Sequence, residues 1–257
     1  MRNFIFVVGP TASGKSDWAL HEAQKTDGVI FNCDSVQLYQ EVNIGAAKPS
    51  EEEKKKVPHY LIDKIPPPLN ITSAGYRELF LQELAQVQES KPIYVVGGTG
   101  FYFLALEKGL YEIEEASLEL KTQIEKEAQS PSGVAQFLEE VKKSDPEYSL
   151  KLHLNDHYRI IRAVEILRSN PGKTITKLLV EKKETKGLEG NIQKVGFKWE
   201  ASILEQRIRI RTKNMLKNGL IDETHVLVNK GLENWAPLKS VGYWQVVQYL
   251  KGKIPKY

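Results

Sequence analysis

Residues 7–16 read Val-Val-Gly-Pro-Thr-Ala-Ser-Gly-Lys-Ser, and Gly9, Gly14, Lys15 and Ser16 fall at the spacing of a phosphate-cradling loop. Glycines let backbone N–H groups turn inward and approach anionic oxygens closely. A helix that starts at the end of such a loop points its positive terminus at the same anion. Lys15 adds a mobile positive charge, and the Ser16 hydroxyl is suited to a Mg²⁺ ion. The whole stretch Gly9, Pro10, Thr11, Ala12, Ser13, Gly14, Lys15 and Ser16 is therefore the expected anion cradle. The loop by itself does not say which phosphate it holds. A second chemical candidate is Asp34, which closes the apolar run Val-Ile-Phe-Asn-Cys-Asp at 29–34. A carboxylate there suits a Mg²⁺ ligand, a general base for an acceptor substrate, or a structural helix cap, and these stay open on the fragment alone.

These residues need a frame that brings them together. Residues 4–9, 29–34 and 92–98 are short, nearly continuous apolar runs, the habit of strands buried on both faces of a parallel sheet, and 194–199 is a fourth candidate. A helix is predicted from Ser16 to Lys25. Another is marked by Tyr76, Leu79, Phe80, Leu84 and Val87, with Thr72 or Ser73 as its N-cap. Strand, loop, helix, strand is the grammar of an α/β fold, in which ligands bind at the carboxyl ends of the strands. Asp34 and the phosphate loop are then neighbours. Strand signals stop after Gly109: residues 112–190 read as an all-helical insertion, with Ser-Asp-Pro-Glu at 144–147 as a capping box on Ser144. The domain reading is a catalytic core of 1–111 and 191–257 around that insertion.

Composition narrows the class. The 257 residues carry a formal net charge of +3, 41% hydrophobic and 27% charged residues, and one cysteine, Cys33. That excludes an internal disulfide framework and a multi-cysteine zinc site. No run approaches the length of a membrane span, and the N-terminus enters a phosphate loop rather than a cleavage site, so a soluble cytoplasmic protein is expected. The mild basicity permits a nucleic-acid partner. Arg159 and Arg162 are three apart on one predicted helix. On another, the apolar stripe Leu204, Ile208, Met215 also carries Arg211, a charge that requires an anionic or polar partner. The five histidines suggest no metal cage, and Tyr39, Phe101, Tyr102, Tyr158, Tyr243 and Trp244 are aromatic candidates for stacking on bases.

In order along the chain, GPTASGKS, DSVQLY (34–39), NIGAAKP (43–49), PHYLID (58–63), VGGTGFY (96–102), LNDHYRIIRAVEI (154–166), LEQRIRIRTKNMLKNGLIDE (204–223) and SVGYWQVVQYLKG (240–252) resemble the tRNA dimethylallyltransferase (isopentenyltransferase) family, bacterial type, over nearly the whole chain. The resemblance implies a P-loop NTPase-like parallel sheet flanked by helices. It also implies transfer of a dimethylallyl group from dimethylallyl diphosphate to N6 of the adenosine beside the anticodon, position 37. Gly9 to Ser16 would grip the diphosphate leaving group, with Mg²⁺ on Ser16, the only protein metal ligand expected. Asp34 matches the general base, Thr99 a threonine that orients the reacting groups, and Arg211 an active-site arginine. Asp34, Ser35, Val36, Gln37, Lys121, Tyr158, Arg159, Ile160, Ile161, Arg162 and Arg207 match positions on the tRNA side, and Lys48 matches the lysine of the G-x-A-K-P stretch. The implied partners are the tRNA anticodon stem-loop and dimethylallyl diphosphate, with no membrane and a monomeric protein.

Two departures stand out. Ala46 occupies a position where most relatives carry threonine, and the sequence ends at Lys-Gly-Lys-Ile-Pro-Lys-Tyr where relatives usually continue into a further basic helix. A smaller nucleic-acid surface is therefore expected. The competing readings are a small-molecule kinase or nucleotide hydrolase with Mg²⁺ on Asp34, a non-catalytic RNA-binding protein, and an adenylate isopentenyltransferase acting on free nucleotides.

Overall fold

Apolar residues on both faces of short extended segments produce one parallel sheet in the computed structural model, which describes residues 1–110, 116–181 and 186–255. Its strands are β1 (Asn3–Val8), β2 (Val29–Asn32), β3 (His59–Tyr60), β4 (Ile93–Gly97) and β5 (Asn191–Gly196), in the order β3-β2-β4-β1-β5. Side chains alternate across a strand, so each strand feeds two cores. Phe4, Phe6, Val29, Phe31, Ile93 and Val95 point to one face, and Val7, Ile30, Tyr94 and Val96 to the other.

Helices cover both faces. The second face is closed by α1 (Lys15–Lys25) through Ala19 and Ala23. The first is closed by α3 (Ser73–Leu84) and α4 (Gly100–Lys108), through Tyr76, Phe80, Tyr102, Phe103 and Leu106. The Thr72 side chain accepts from the Gly75 N–H and caps α3. A short helix α2 (Glu51–Lys56) carries a capping box between Ser50 and Glu53 that the apolar periodicity did not reveal, because none of its residues is buried.

The chain divides into two compact units, Met1–Lys108 with Gly187–Tyr257, and Gly109–Lys186. The predicted break at 111/112 lies outside the described residues. The second unit is helical: α5 (Leu118–Ala128), α6 (Gly133–Ser144), α7 (Pro146–Ser149), α8 (His157–Ser169) and α9 (Ile175–Glu181). They enclose Ile124, Phe137, Val141, Ile160, Val164 and Ile175. Arg168 ties three of them together, bridging Glu127 and Glu140 at 2.8 Å each while lying over the Phe137 ring. The first unit ends in α10 (Ala201–Lys217), α11 (Leu220–Asn229), a 3-10 turn (Ala236–Lys239) and α12 (Tyr243–Leu250).

Three local expectations are corrected. Ser144 is the last residue of α6, and the cap of α7 is Asp145, whose Oδ1 accepts from the Tyr148 N–H. The same carboxylate holds the Thr176 N–H and hydroxyl, and its 2% exposure explains why the longer-reaching aspartate displaced the serine. The last strand is 191–196 rather than 194–199. It is an edge strand whose register is set by backbone pairing to β1, Asn3 opposite Asn191 through Val8 opposite Gly196, and the apolar Phe197 and Trp199 follow it. Finally, the inward side of α10 is Leu204, Arg207, Arg211 and Met215, all half-buried, whereas Ile208 is exposed.

One glycine decides how the sheet meets its loops. A Cβ on Gly97 would lie 1.9 Å from the Cys33 carbonyl oxygen, a backbone clash that no rotamer relieves. Gly97→Ala is expected to cost about 3 kcal/mol, at the upper end of overpacking penalties, measured as a lowered urea midpoint at unchanged slope.

Candidate active site

The phosphate loop is built by two left-handed residues, Ala12 at φ 62° and Gly14 at φ 88°, followed at once by α1. The first-turn N–H groups of that helix have no intrahelical partner and face the loop's anion position. Neighbours hold the loop's carbonyls on the other side. The Trp199 indole N–H donates to the Ser13 carbonyl at 2.8 Å, and Arg207 Nε donates to the Ala12 carbonyl at 2.6 Å. The Arg207 guanidinium lies 5.0 Å over the Trp199 ring, so the two side chains brace each other as well. Ser13 is 1% exposed, and its hydroxyl has no hydrogen-bond partner among the described residues; its side chain belongs to the loop's interior. Lys15 Nζ folds back onto the Pro10 carbonyl at 3.3 Å.

Asp34 lies where β2 ends. Its Oδ1 accepts from the Val36 N–H at 2.9 Å and the Gln37 N–H at 3.4 Å, and among the described residues no hydrogen bond reaches Oδ2. The carboxylate therefore caps its own loop with one oxygen and leaves the other without a hydrogen bond among the described residues. Thr99 stands beside it through the backbone: its N–H reaches the Cys33 carbonyl at 3.2 Å, and its Oγ1 accepts from the Ser35 N–H at 3.0 Å. Its side chain is thus committed to the 34–37 segment rather than to capping α4.

Two cavities meet over these groups. One of about 890 Å³ is lined by Gly14, Lys15, Arg207, Arg211 and Met215, and one of about 290 Å³ by Thr11, Lys15, Asp34, Gln37, His59 and Arg211. Lys15, Ser16, Lys48 and Arg211 border both. Burial pulls the Lys15 ammonium below its ordinary pKa; the Asp34 carboxylate opposes that shift and the Arg211 charge adds to it. Arg211 is pulled down by burial in the same way, with Asp34 again the opposing charge. The anionic partner that Arg211 demanded is therefore Asp34. Lys15 and Arg211 thus set two partly desolvated cations beside the phosphate loop, a local arrangement suited to an anionic ligand.

The remaining candidates divide. Gln37 lines the smaller cavity, but its amide nitrogen is spent on the carbonyls of Ala46 and Ala47, 3.1 Å each. Ser35 and Val36 border neither cavity, and Val36 packs against the main core. Lys48 is engaged by the Tyr39 carbonyl, Asn43 Oδ1 and Asp63, so it ties loops together. In the helical unit Tyr158 is 80% exposed, Arg159 pairs with Asp156, and Arg162 pairs with Glu165 at 2.7 Å. Ile160 is fully buried and Ile161 packs on that unit's core, so their side chains hold α8 in place. Lys121 is half-buried on α5. Of the aromatic candidates, Tyr39, Tyr102 and Tyr243 are core, while Phe101, Tyr158 and Trp244 are exposed.

Two groups at the site carried no local signal. Trp199 reads as one more apolar residue of a strand, and Glu223 as a helix-dipole carboxylate in the first turn of α11. Only Gly219, punctuating the chain before Leu-Ile-Asp-Glu, hinted at a special position.

Comparison with known proteins follows the same lines. The sequence profile of a family described as IPP transferase matches residues 37–257. A tRNA dimethylallyltransferase of Bdellovibrio bacteriovorus is 46% identical, over 98% of this chain and 82% of its own. One from Gloeothece citriformis is 38% identical, over 97% and 79%. Among solved structures, the full-length tRNA isopentenylpyrophosphate transferase of Bacillus halodurans matches with a TM-score of 0.67 at 29% identity, over 99% of this chain and 79% of that one. A eukaryotic dimethylallyltransferase acting on tRNA gives a TM-score of 0.81 at 23% identity, over 98% and 64%, a likeness of fold.

The brace on the phosphate loop is testable. Trp199→Phe keeps the ring under Arg207 and removes the donor to Ser13. Loss of one hydrogen bond of about 1 kcal/mol predicts roughly fivefold weaker binding of inorganic diphosphate by titration calorimetry.

Proposed function

The chain belongs to the IPP transferase family, and on that premise we propose that it transfers a dimethylallyl group from dimethylallyl diphosphate to N6 of the adenosine beside the anticodon, position 37, of tRNA. The observation that carries this reading is the arrangement of Asp34, Lys15 and Arg211 around cavities that open onto the phosphate loop. One end of such a site receives a diphosphate, and the other accepts a proton.

The loop N–H groups, Lys15 and Arg211 stabilise the charge that grows on the diphosphate as the allylic C–O bond breaks and its electron pair leaves with oxygen. Fixed charges in a site poor in water are effective here because they need no reorganisation during the reaction. The N6 lone pair forms the new C–N bond. The amine proton becomes acidic as that bond forms, and Asp34 Oδ2, the oxygen its loop leaves free, collects it. Thr99 holds the Ser35 N–H and so fixes the segment that carries the base.

The donor set fits Mg²⁺. Among the described residues no group of three His, Cys, Asp or Glu side chains could cage a metal. Mg²⁺ prefers few protein ligands together with phosphate oxygens and water, and the exposed Ser16 hydroxyl would supply one such ligand. The ion would supply charge to the leaving group.

A base inside a stack cannot present its amine, so the adenosine must be extruded. Ser35, Val36 and Gln37 form the loop next to the proton-accepting carboxylate. Tyr158, Arg159 and Arg162 on α8, Lys121 on α5 and Arg207 on α10 are the proposed tRNA contacts. The first three combine an exposed aromatic with charges already paired at i,i+3, pairs that a phosphate can replace. Among the described residues no helix is long and apolar enough to cross a membrane; a cytoplasmic monomer is the corresponding proposal.

With labelled dimethylallyl diphosphate, Mg²⁺ and unmodified tRNA, the protein is expected to label tRNA and not free AMP. Asp34→Asn should lower kcat by about 10²- to 10⁴-fold, the range of general-base losses, with tRNA affinity nearly unchanged. ATP turnover without prenyl transfer would sink the reading. Affinity for tRNA should fall about tenfold or more from low to physiological salt, followed by filter binding; a flat response argues against the basic contacts.

A further inference from the structure

The loop 43–48 borders both cavities through Ala47 and Lys48 and the larger one also through Asn43 and Ile44. It has no secondary structure to satisfy its backbone. Among the described residues only two backbone–backbone bonds run within it, Ala47 N–H to the Ile44 carbonyl at 3.1 Å and Lys48 N–H to the Asn43 carbonyl at 3.4 Å, and Ala47 sits at φ 49°. Such a segment keeps one shape only if other groups take up its donors and acceptors.

One carboxylate, 180 residues away, takes up the donors. Glu223 accepts from the N–H groups of Asn43 at 2.9 Å, Ile44 at 3.0 Å and Gly45 at 3.3 Å. The Tyr243 hydroxyl donates to the same carboxylate and accepts from the Gly45 N–H at 3.1 Å. The fit is tight: a Cβ on Gly45 would lie 2.5 Å from the Tyr243 ring. On the loop's other side Gln37 takes the carbonyls of Ala46 and Ala47, and the Gln37 N–H in turn points at Asp34 Oδ1. A continuous chain of bonds therefore runs from Glu223 through the loop and Gln37 to Asp34.

We infer that Glu223, with Tyr243, is a positioning residue that sets the orientation of Asp34 by latching the 43–48 loop against Gln37. Glu223 borders neither cavity, so it acts through the loop and not on substrate. The inference rests on the proposed role of Asp34 as base for its kinetic consequence, but not for the mechanical coupling itself.

Glu223→Gln keeps the shape and replaces one acceptor oxygen with a donor. It is expected to lower kcat about ten- to a hundredfold, the scale of a misplaced reacting group, while KM for dimethylallyl diphosphate moves less than about threefold. Hydrogen–deuterium exchange should quicken about fivefold, one hydrogen bond's worth, in peptides covering both 43–48 and 34–37. Combining Glu223→Gln with Gln37→Ala should cost no more than the worse single change. Tyr243→Phe, which keeps the ring in its seat, should show the same pattern in smaller measure, so misfolding of the first variant does not shield the inference. Faster exchange at 43–48 with unchanged exchange at 34–37, a rise in KM alone, or additive losses would overturn it. If Asp34→Asn leaves transfer intact while the exchange coupling is present, the reading of Asp34 as base has failed and the latch has not.

Discussion

The site depends on the parallel register of β2 and β4. Their pairing runs from Val29 opposite Ile93 to Asn32 opposite Val96 and is prolonged by the Cys33 N–H to the Val96 carbonyl at 2.7 Å. Beyond it the Cys33 carbonyl accepts from the Thr99 N–H, and Gly97 has no side chain to hold the backbones apart. This close approach puts Asp-Ser-Val-Gln and Gly-Gly-Thr-Gly side by side at the carboxyl edge of the sheet. β1, paired to β4 on its other side, delivers the phosphate loop to the same edge. Parallel strands all end in the same direction, so three separate loops converge without needing contacts of their own.

Convergence alone would leave these loops, and the 43–48 loop that borders the same cavities, with unsatisfied backbone groups. The structure answers with side chains from the far end of the chain. Trp199 and Arg207 hold the carbonyls of the phosphate loop, while Glu223 and Tyr243 hold the amides of the 43–48 loop. All four come from the segment after β5. This explains how a region with little buried surface of its own, such as α10, contributes to the site: its half-buried Arg207 and Arg211 line the cavity, and no residue of the helix is fully buried. The charges collected there share a partly desolvated space, in which Asp34 offsets the cost of burying Lys15 and Arg211. A carboxylate proposed as base thus also favours the charged form of its two cationic neighbours.

The helical unit is organised by different physics. Its helices are amphipathic, and α6 and α8 in particular bury one stripe each in a common core. Among its described residues the deeply buried carboxylate is Asp145, which is spent on capping α7 and holding Thr176. Its exposed side carries Tyr158 and Arg159, charges and a ring on a rigid helix, which is the kind of surface expected of an RNA contact in the proposed reading.

The sequence by itself determined the fold class, the phosphate loop and the family. Each rests on local order: β-branched and aromatic runs make buried strands, glycine spacing makes the loop, and motifs in sequence make the resemblance. It also placed Asp34 at a strand end and demanded a partner for Arg211, since a charge on a half-buried stripe cannot stand alone. Tertiary structure decided which groups do what. The register of edge strand β5 is set by β1's backbone, not by its own side chains, so the apolar Phe197 and Trp199 misled the reading. Ile160 follows the exposed Tyr158 and Arg159 directly but is buried, because helix periodicity turns it inward. Gln37 and Lys48 look available for substrate until the loops that occupy them are in place. Glu223 was illegible because its partners are 180 residues away, and a hydrogen bond across that separation leaves no trace in spacing or composition; it exists only once the chain has folded.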